Sequence, residues 1–370
     1  MLNLMLLMIV PTLIALFCLF FFKGKIMLWE FFGQLLVVAL VISAGFWISY
    51  AGRVSDTEIW NGKVTERKRV EVSCEHSYKC NCSTDKDGHE HCSTCYEHNY
   101  DVDWNVYATT GESLEIERED RQGLVEPKRW DAVYPGEPFS SMHHFENYIR
   151  ANPDSVLLGT KGDMEQFGKL VPEYNDKVYD YYKHDPVINM GVPNVDMQSW
   201  NWLIREVNKE LGPVKQINNI VILVPTNDQA YMFALKDAWL GGKKNDDVVV
   251  IGSTDGHRIG FADVMTWSTN KAFAIDLKHK IEDIGTLDKK DDIQQAILTI
   301  SKAEFVRMHM HDMKWLIRSY EPSNATLWWL FFIAVIVEAG LAFASIKAGF
   351  TEENPFGQGH YGRIRNRYRY

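Results

Sequence analysis

Apolar side chains fall along this 370-residue chain in two kinds of pattern, long unbroken runs and short alternating ones. Residues 1–22 and 27–50 are nearly continuous apolar runs parted only by Lys23, Gly24, Lys25 and Ile26, and residues 325–346 (ATLWWLFFIAVIVEAGLAFASI) make a third. At about 1.5 Å of rise per residue, each is long enough as a helix to cross a hydrocarbon core of about 30 Å. The first two predict a transmembrane helical hairpin over residues 1–50. A cleavable signal peptide would carry its positive charge ahead of the apolar stretch, whereas here the lysines follow it. The third predicts a transmembrane helix over 325–347, leaving residues 51–322 looped out between the second and third spans.

The alternating patterns lie within that loop. Residues 57–72 (TEIWNGKVTERKRVEV) are rich in β-formers and contain Asn61-Gly62, a turn signal, so they predict either a hairpin or one long strand. In residues 99–110 (NYDVDWNVYATT), Tyr100, Val102, Trp104 and Val106 share one face and Asp101, Asp103 and Asn105 the other, as in a half-buried strand. With short strands near 114–117 and 132–134, residues 51–140 read as a β-rich module. Residues 141–216 read as connecting helices and irregular chain. A short helix is expected over 141–151 (SMHHFENYIRA), with His143 and His144 at its start, and an amphipathic helix over 200–211 stops at Gly212-Pro213. Residues 217–322 switch to strand (INNIVILV, 217–224), helix (229–240), strand (DVVVIG, 247–252), strand (257–264) and two helices (271–281, 291–309), the order of an α/β sandwich.

Charge separates the regions further. Lys23 and Lys25 share a side with Lys347 and the basic aromatic tail over 348–370, which ends YGRIRNRYRY, and basic residues near spans are retained on the cytoplasmic side. That places residues 51–322 on the periplasmic or exterior face of a cell (inner) membrane. These residues hold 45 acidic against 32 basic side chains in a chain of net charge −10, which argues against nucleic acid as a partner. The partners expected are the lipid bilayer and either another protein or a second copy of this chain. Glu338 sits mid-span in IAVIVEAGLAF, where a carboxylate exposed to lipid is costly, so it predicts an intramembrane contact inside the helix bundle.

The densest chemistry is in residues 74–98, which hold five of the six cysteines and four of the twelve histidines. Cys80-x-Cys82 and Cys92-x-x-Cys95, separated by a polar turn, have the composition to place four thiolates around a structural Zn²⁺, with Cys74, His76, His91 and His98 as alternative ligands. Disulfides are the competing reading, favoured on an oxidising side, and five cysteines then leave one unpaired. A catalytic zinc would need an open position and a positioned base, and no His-Glu-x-x-His spacing is present.

The order of elements in 217–320 resembles the TPM domain family, membrane-anchored extracytoplasmic domains with a sheet between helices. The residues carrying the resemblance are INNIVILV, then Ala238-Trp239-Leu240-Gly241-Gly242-Lys243-Lys244, then Asn245-Asp246-Asp247 leading into Val248–Ile251. What it implies is an extracytoplasmic α/β domain, and for members that bind divalent cations through acidic turns, a cation turn at Asp246 and Asp247. Asp247 stands where the family more often has glycine, and IGFADVMTW lacks the family's usual glycine pair.

Taken together, the sequence predicts an α+β membrane protein that acts in binding or envelope assembly through a large extracytoplasmic domain. A hydrolase, phosphatase-like at Asp246 and Asp247 or metal-assisted at the cysteine cluster, is the alternative from another class.

Overall fold

The computed structural model describes residues 5–22, 26–85, 87, 89–152 and 164–348, with side chains excepted at 318, 319 and 348. Lys23, Lys25, the tail beyond residue 348 and part of the connecting segment lie outside the described residues. The chain divides into two compact units, residues 1–55 with 150–152 and 315–370, and residues 56–149 with 153–314.

The first unit is helical. Helix α1 spans Ile9–Phe21, α2 spans Leu28–Val54, and the C-terminal helix spans Asn324–Ala348. Two helices, Leu28–Val54 and Asn324–Lys347, are long and apolar enough to cross a membrane. Helix α1, with 13 residues, reaches only about 20 Å, so the described part of the first run falls short of the three full spans expected. Leu7, Val38, Ile42, Leu330 and Ala334 form the shared core. Gly45 lets α2 approach the C-terminal helix closely, since a Cβ there would lie 2.2 Å from Leu330 Cδ2. Polar contacts tie the same two helices: Gln34 Nε2 donates to Ser345 Oγ at 3.0 Å, and the Ser49 and Tyr320 hydroxyls meet at 3.0 Å. Glu338 is fully buried in this bundle, and neither of its oxygens has a hydrogen-bond partner among the described residues.

The second unit contains two four-stranded sheets. In the first, β1 (Ser55–Val72), β4 (Asp101–Ala108), β5 (Ser113–Ile116) and β6 (Pro138–Glu146) lie in the order β5-β4-β1-β6. The alternation of residues 99–110 is realised in β4, whose Val102, Trp104 and Val106 join Val64, Ile116, Trp130 and Phe139 in the core. Between β1 and β4, the strands β2 (Ser77–Thr84) and β3 (Glu90–Tyr96) pair only with each other, as an antiparallel ribbon.

Of two local expectations, one resolves to its long-strand alternative and one changes. Residues 55–72 are a single strand and Asn61-Gly62 is no turn, because Asn61 is buried and its amide is engaged with the second sheet. Most of the helix expected over 141–151 is β6, with only Tyr148–Ala151 helical. Pairing beside β1 and burial of Phe139 and Phe145 override a weak helical pattern.

The second sheet has the order β10-β9-β8-β7, where β7 is Val187–Asn189, β8 is Asn218–Val224, β9 is Asp246–Gly252 and β10 is Phe261–Thr266. Strands β7, β8 and β9 are parallel, and β10 returns antiparallel. Every residue of β8 and β9 is buried, which is why both read as continuous apolar runs rather than alternating ones. One face packs against α3 (Met197–Lys215), α5 (Ala272–Ile284) and α6 (Lys290–Glu304), through Ile204, Val207, Phe273, Leu277, Ile293 and Ile297. The other packs against α4 (Tyr231–Ala238) and the chain around Phe167, Leu170 and Tyr174. Helix α3 runs past the expected stop at Gly212-Pro213 to Lys215, and Gly212 is required there because a Cβ would lie 2.1 Å from the Asn61 carbonyl oxygen.

A line of buried amides joins the two sheets. Ser140 Oγ donates to Asn61 Oδ1 at 2.8 Å, Asn61 Nδ2 donates to Asn218 Oδ1 at 2.8 Å, and Asn218 Nδ2 donates to Asp246 Oδ1 at 3.0 Å. Asn245 Nδ2 adds a bond to the Ile59 carbonyl at 2.8 Å. Beside this line, the buried Glu58 Oε1 accepts from Trp60 Nε1 at 2.9 Å and Arg307 Nη2 at 2.8 Å, with Lys244 Nζ at 3.5 Å. Replacing Asn218 by Ala removes the close acceptor of the Asn61 amide and one of the two donors to Asp246 Oδ1, which keeps only the Tyr174 hydroxyl at 3.1 Å. The expected loss is about 2–4 kcal/mol of unfolding free energy, measured from the urea midpoint of the full chain in detergent, and a loss below about 0.5 kcal/mol would show the two sheets to be held by apolar contact alone.

Candidate functional site

The ribbon β2–β3 is the part of the second unit that cannot be explained by its own core. Nearly all its residues are exposed, Tyr78 and Tyr96 by more than half, and among the described residues none of them joins the apolar clusters of the two sheets. An isolated two-stranded ribbon is marginally stable in water. This one is held by two cross-strand disulfides, Cys80–Cys95 and Cys82–Cys92. The register places Cys80 opposite Ser93 and Tyr78 opposite Cys95, so Cys80–Cys95 is a diagonal bond in the regular ladder, while Cys82 lies in the stretch between Cys80 and Ser83 where the register shifts. The structure joins the four cysteines expected to ligate zinc in two pairs, the arrangement of the disulfide alternative. His91 sits on the ribbon with Nε2 3.3 Å from Asp85, away from its base.

At the base of the ribbon the remaining cysteine of this unit is not left to solvent. Cys74 is buried and free, with His98 Nδ1 3.8 Å from its sulfur and the His76 backbone N–H donating to the sulfur at 3.4 Å. His98 Nδ1 also lies 3.2 Å from Asp101 Oδ1. Asp101 is fully buried at the start of β4, and its other oxygen accepts from the Glu75 backbone N–H at 2.9 Å and from Arg118 Nη1 at 3.4 Å. The Glu75 N–H holds the Asp101 carboxyl below its ordinary range, His98 and Cys74 acting the same way against the opposing effect of burial. His76 places Nε2 4.0 Å from Asp101 Oδ2 and bonds the Arg121 carbonyl at 2.8 Å. Three of the alternative ligands expected from sequence, Cys74, His76 and His98, thus gather around Asp101, whose place in the sequence marks it only as part of the polar face of a strand.

The aspartates expected in a cation turn are placed differently. Asp246 and Asp247 open β9 and are wholly buried. Neighbouring strand residues face opposite sides of a sheet. Asp246 accordingly accepts from the Tyr174 hydroxyl at 2.9 Å, from Asn218 and from the Lys243 backbone N–H at 2.7 Å, whereas Asp247 faces Ser301 of α6. The two carboxylates therefore lie on opposite faces of β9 and do not converge. Burial lifts Asp246 to about 6 despite its three donors. Burial and the adjacent Asp246 lift Asp247 to about 8 against a lowering by Ser301, and neither Asp247 oxygen makes a close hydrogen bond among the described residues.

A cleft beside the amide line is lined by Asn61, Glu137, Tyr182, Lys183, Trp202 and Arg205 among others, with a volume of about 110 Å³. That is well below the roughly 300–1,000 Å³ of sites that enclose metabolites. Its buried carboxylate, Glu137, is taken by the Tyr182 hydroxyl at 2.9 Å.

No protein-family model, curated protein or solved structure matches this chain.

Two outcomes follow from these positions. Because both aspartates hold their protons more tightly folded than unfolded, unfolding releases protons between about pH 4 and pH 8; their contribution is complete below about pH 4 and is lost as the pH rises towards 8. Asp247→Asn should flatten that slope and raise stability at pH 7.5 by on the order of 3 kcal/mol, with a much smaller gain at pH 4.5; parallel urea profiles for variant and parent would refute the assignment. Secondly, replacing all four ribbon cysteines by serine should expose Lys79 to trypsin while leaving the main thermal transition of the second unit within about 0.5 kcal/mol of the parent, because the ribbon contributes nothing to either sheet's core.

Proposed function

We propose that the chain is a membrane-anchored envelope protein whose second unit stands on the exterior side and binds a protein partner through the stapled ribbon. The observation that carries this reading is the ribbon itself, an exposed hairpin that buries no core yet is fixed by two disulfides. Holding such a segment rigid lowers the ordering cost of docking, and Tyr78 and Tyr96 are of the residue type enriched at protein interfaces.

Anchoring is supported by the outward faces of the two long helices. Phe32, Leu36, Leu40 and Trp47 on α2, with Trp328, Trp329, Ile336 and Phe343 on the C-terminal helix, are apolar and uncovered. A contiguous apolar surface of this kind is the mark of a membrane or an apolar partner. The exterior placement is supported by the disulfides, which persist in oxidising compartments, and by the basic residues flanking the spans on the other side. The resemblance of residues 217–320 to TPM domains points the same way, towards an extracytoplasmic domain on membrane anchors.

A photocrosslinking residue placed at Tyr78 or Tyr96 in cells should yield a discrete protein adduct, weakened when the ribbon cysteines are changed to serine, whereas the same residue at exposed Leu124 should not. Equal adducts at Leu124, or none on the ribbon, would remove the docking assignment. Protease added to intact spheroplasts should digest residues 51–322 and spare the helices; protection of that segment would reverse the orientation.

A further inference from the structure

We infer that Cys74, His98 and Asp101 form a zinc site at the base of the ribbon, separate from the disulfides that fix its length. A tetrahedral Zn²⁺ bonded at about 2.3 Å to sulfur and about 2.0–2.1 Å to nitrogen and oxygen sets neighbouring ligand atoms about 3.3–3.6 Å apart. Here the sulfur lies 3.8 Å from His98 Nδ1, and Nδ1 lies 3.2 Å from Asp101 Oδ1. All three atoms fall within 4.8 Å of one another. The spacing is that of ligands around a common centre.

The surroundings suit a metal rather than a simple hydrogen-bonded group. A single ring nitrogen, His98 Nδ1, faces both the sulfur and the carboxylate oxygen, and one N–H can serve only one of them fully. A cation in that place serves both. Asp101 is already oriented through its second oxygen by the Glu75 N–H and Arg118, leaving Oδ1 for the ion, which is the usual way a carboxylate ligand is held. The His76 N–H points at the sulfur at 3.4 Å, a direction from which a thiolate would accept, and the His76 carbonyl lies 3.7 Å from it, where it would accept from the thiol before metal displaces the proton. Thiolate, imidazole and carboxylate together form a donor set that suits Zn²⁺, and the metal displaces the thiol proton to solvent on binding. His76 is a further donor within reach of the fourth position if its ring gives up the Arg121 carbonyl.

The site also accounts for the odd cysteine. Four of the five cysteines in this unit pair with each other, and Cys74 has no thiol partner among the described residues of the unit. Zinc would keep it reduced in an oxidising compartment. It would also bind the chain leaving β1, at Cys74, to the chain entering β4, at His98 and Asp101, and so fix how the ribbon leaves the first sheet.

The test uses the full chain purified in detergent without reductant or chelator, then equilibrated with Zn²⁺ and dialysed. One zinc per chain is expected by elemental analysis, with Cys74 alkylated only after chelation. Cys74→Ser and His98→Gln should each lose stoichiometric metal, while Cys18→Ser keeps it. Replacement by Co²⁺ should give a thiolate-to-cobalt charge-transfer band that Cys74→Ser abolishes, with both disulfides intact by mass in that variant as the check on folding. Substoichiometric metal in the parent, alkylation of Cys74 at the same rate with and without chelator, or a Cys74→Ser protein that retains its zinc would each overturn the site. None of these readouts depends on the partner or the orientation proposed for the ribbon.

Discussion

The buried run of side-chain hydrogen bonds from Ser140 through Asn61 and Asn218 to Asp246 is the constraint that the second unit is built around. Apolar contact is indifferent to small slips of one sheet past another. An amide with fixed donors and acceptors is not, because a slip leaves buried polar atoms unpaired at about 1–3 kcal/mol each. The line therefore sets where β1 meets the start of β8. From that alignment follow the close approach of Asn61 to Gly212, the entry of Asn245 beneath Ile59, and the burial of Asp246 and Asp247 at the head of β9.

The same network explains what the residue pattern conveyed and what it concealed. Strands β8 and β9 were legible because both faces are covered, so Ile220–Val224 and Val248–Ile251 are apolar without interruption. The helices α5 and α6 were legible from their spacing. Asn61-Gly62 had the chemistry of a turn, and nothing nearby in sequence revealed that its amide would be used by a residue 157 positions away. Asp246 and Asp247 likewise looked like turn residues, since the groups that enclose them come from Tyr174, Asn218 and Ser301. Strand β7 is three residues long on a sheet edge and leaves almost no periodicity to find.

For the candidate site, density was visible and pairing was not. Two arms of cysteines separated by a turn suit either four thiolates on a metal or two cross-strand disulfides, and in the structure they are paired across β2 and β3. The odd count was the usable signal, because it required one cysteine to have a different fate. What no spacing rule conveyed was that the first strand's end and the fourth strand's start lie side by side, bringing Asp101 to Cys74 and His98.

The pairing of α2 with the C-terminal helix has an entropic side. Ser49 and Tyr320 meet at 3.0 Å and Gly45 seats against Leu330, so the two points where the chain leaves and rejoins the helical unit are held together whether or not the residues between them are folded. For the intervening residues 50–319 this is a closed loop, and closing a loop of that length before folding lowers the entropy of the unfolded chain by an amount equivalent to about 5 kcal/mol at 25 °C. The helix pair then works on the second unit as a covalent cross-link between its ends would. A fragment cut free of its helices would have to fold without that advantage, with every contact within it unchanged.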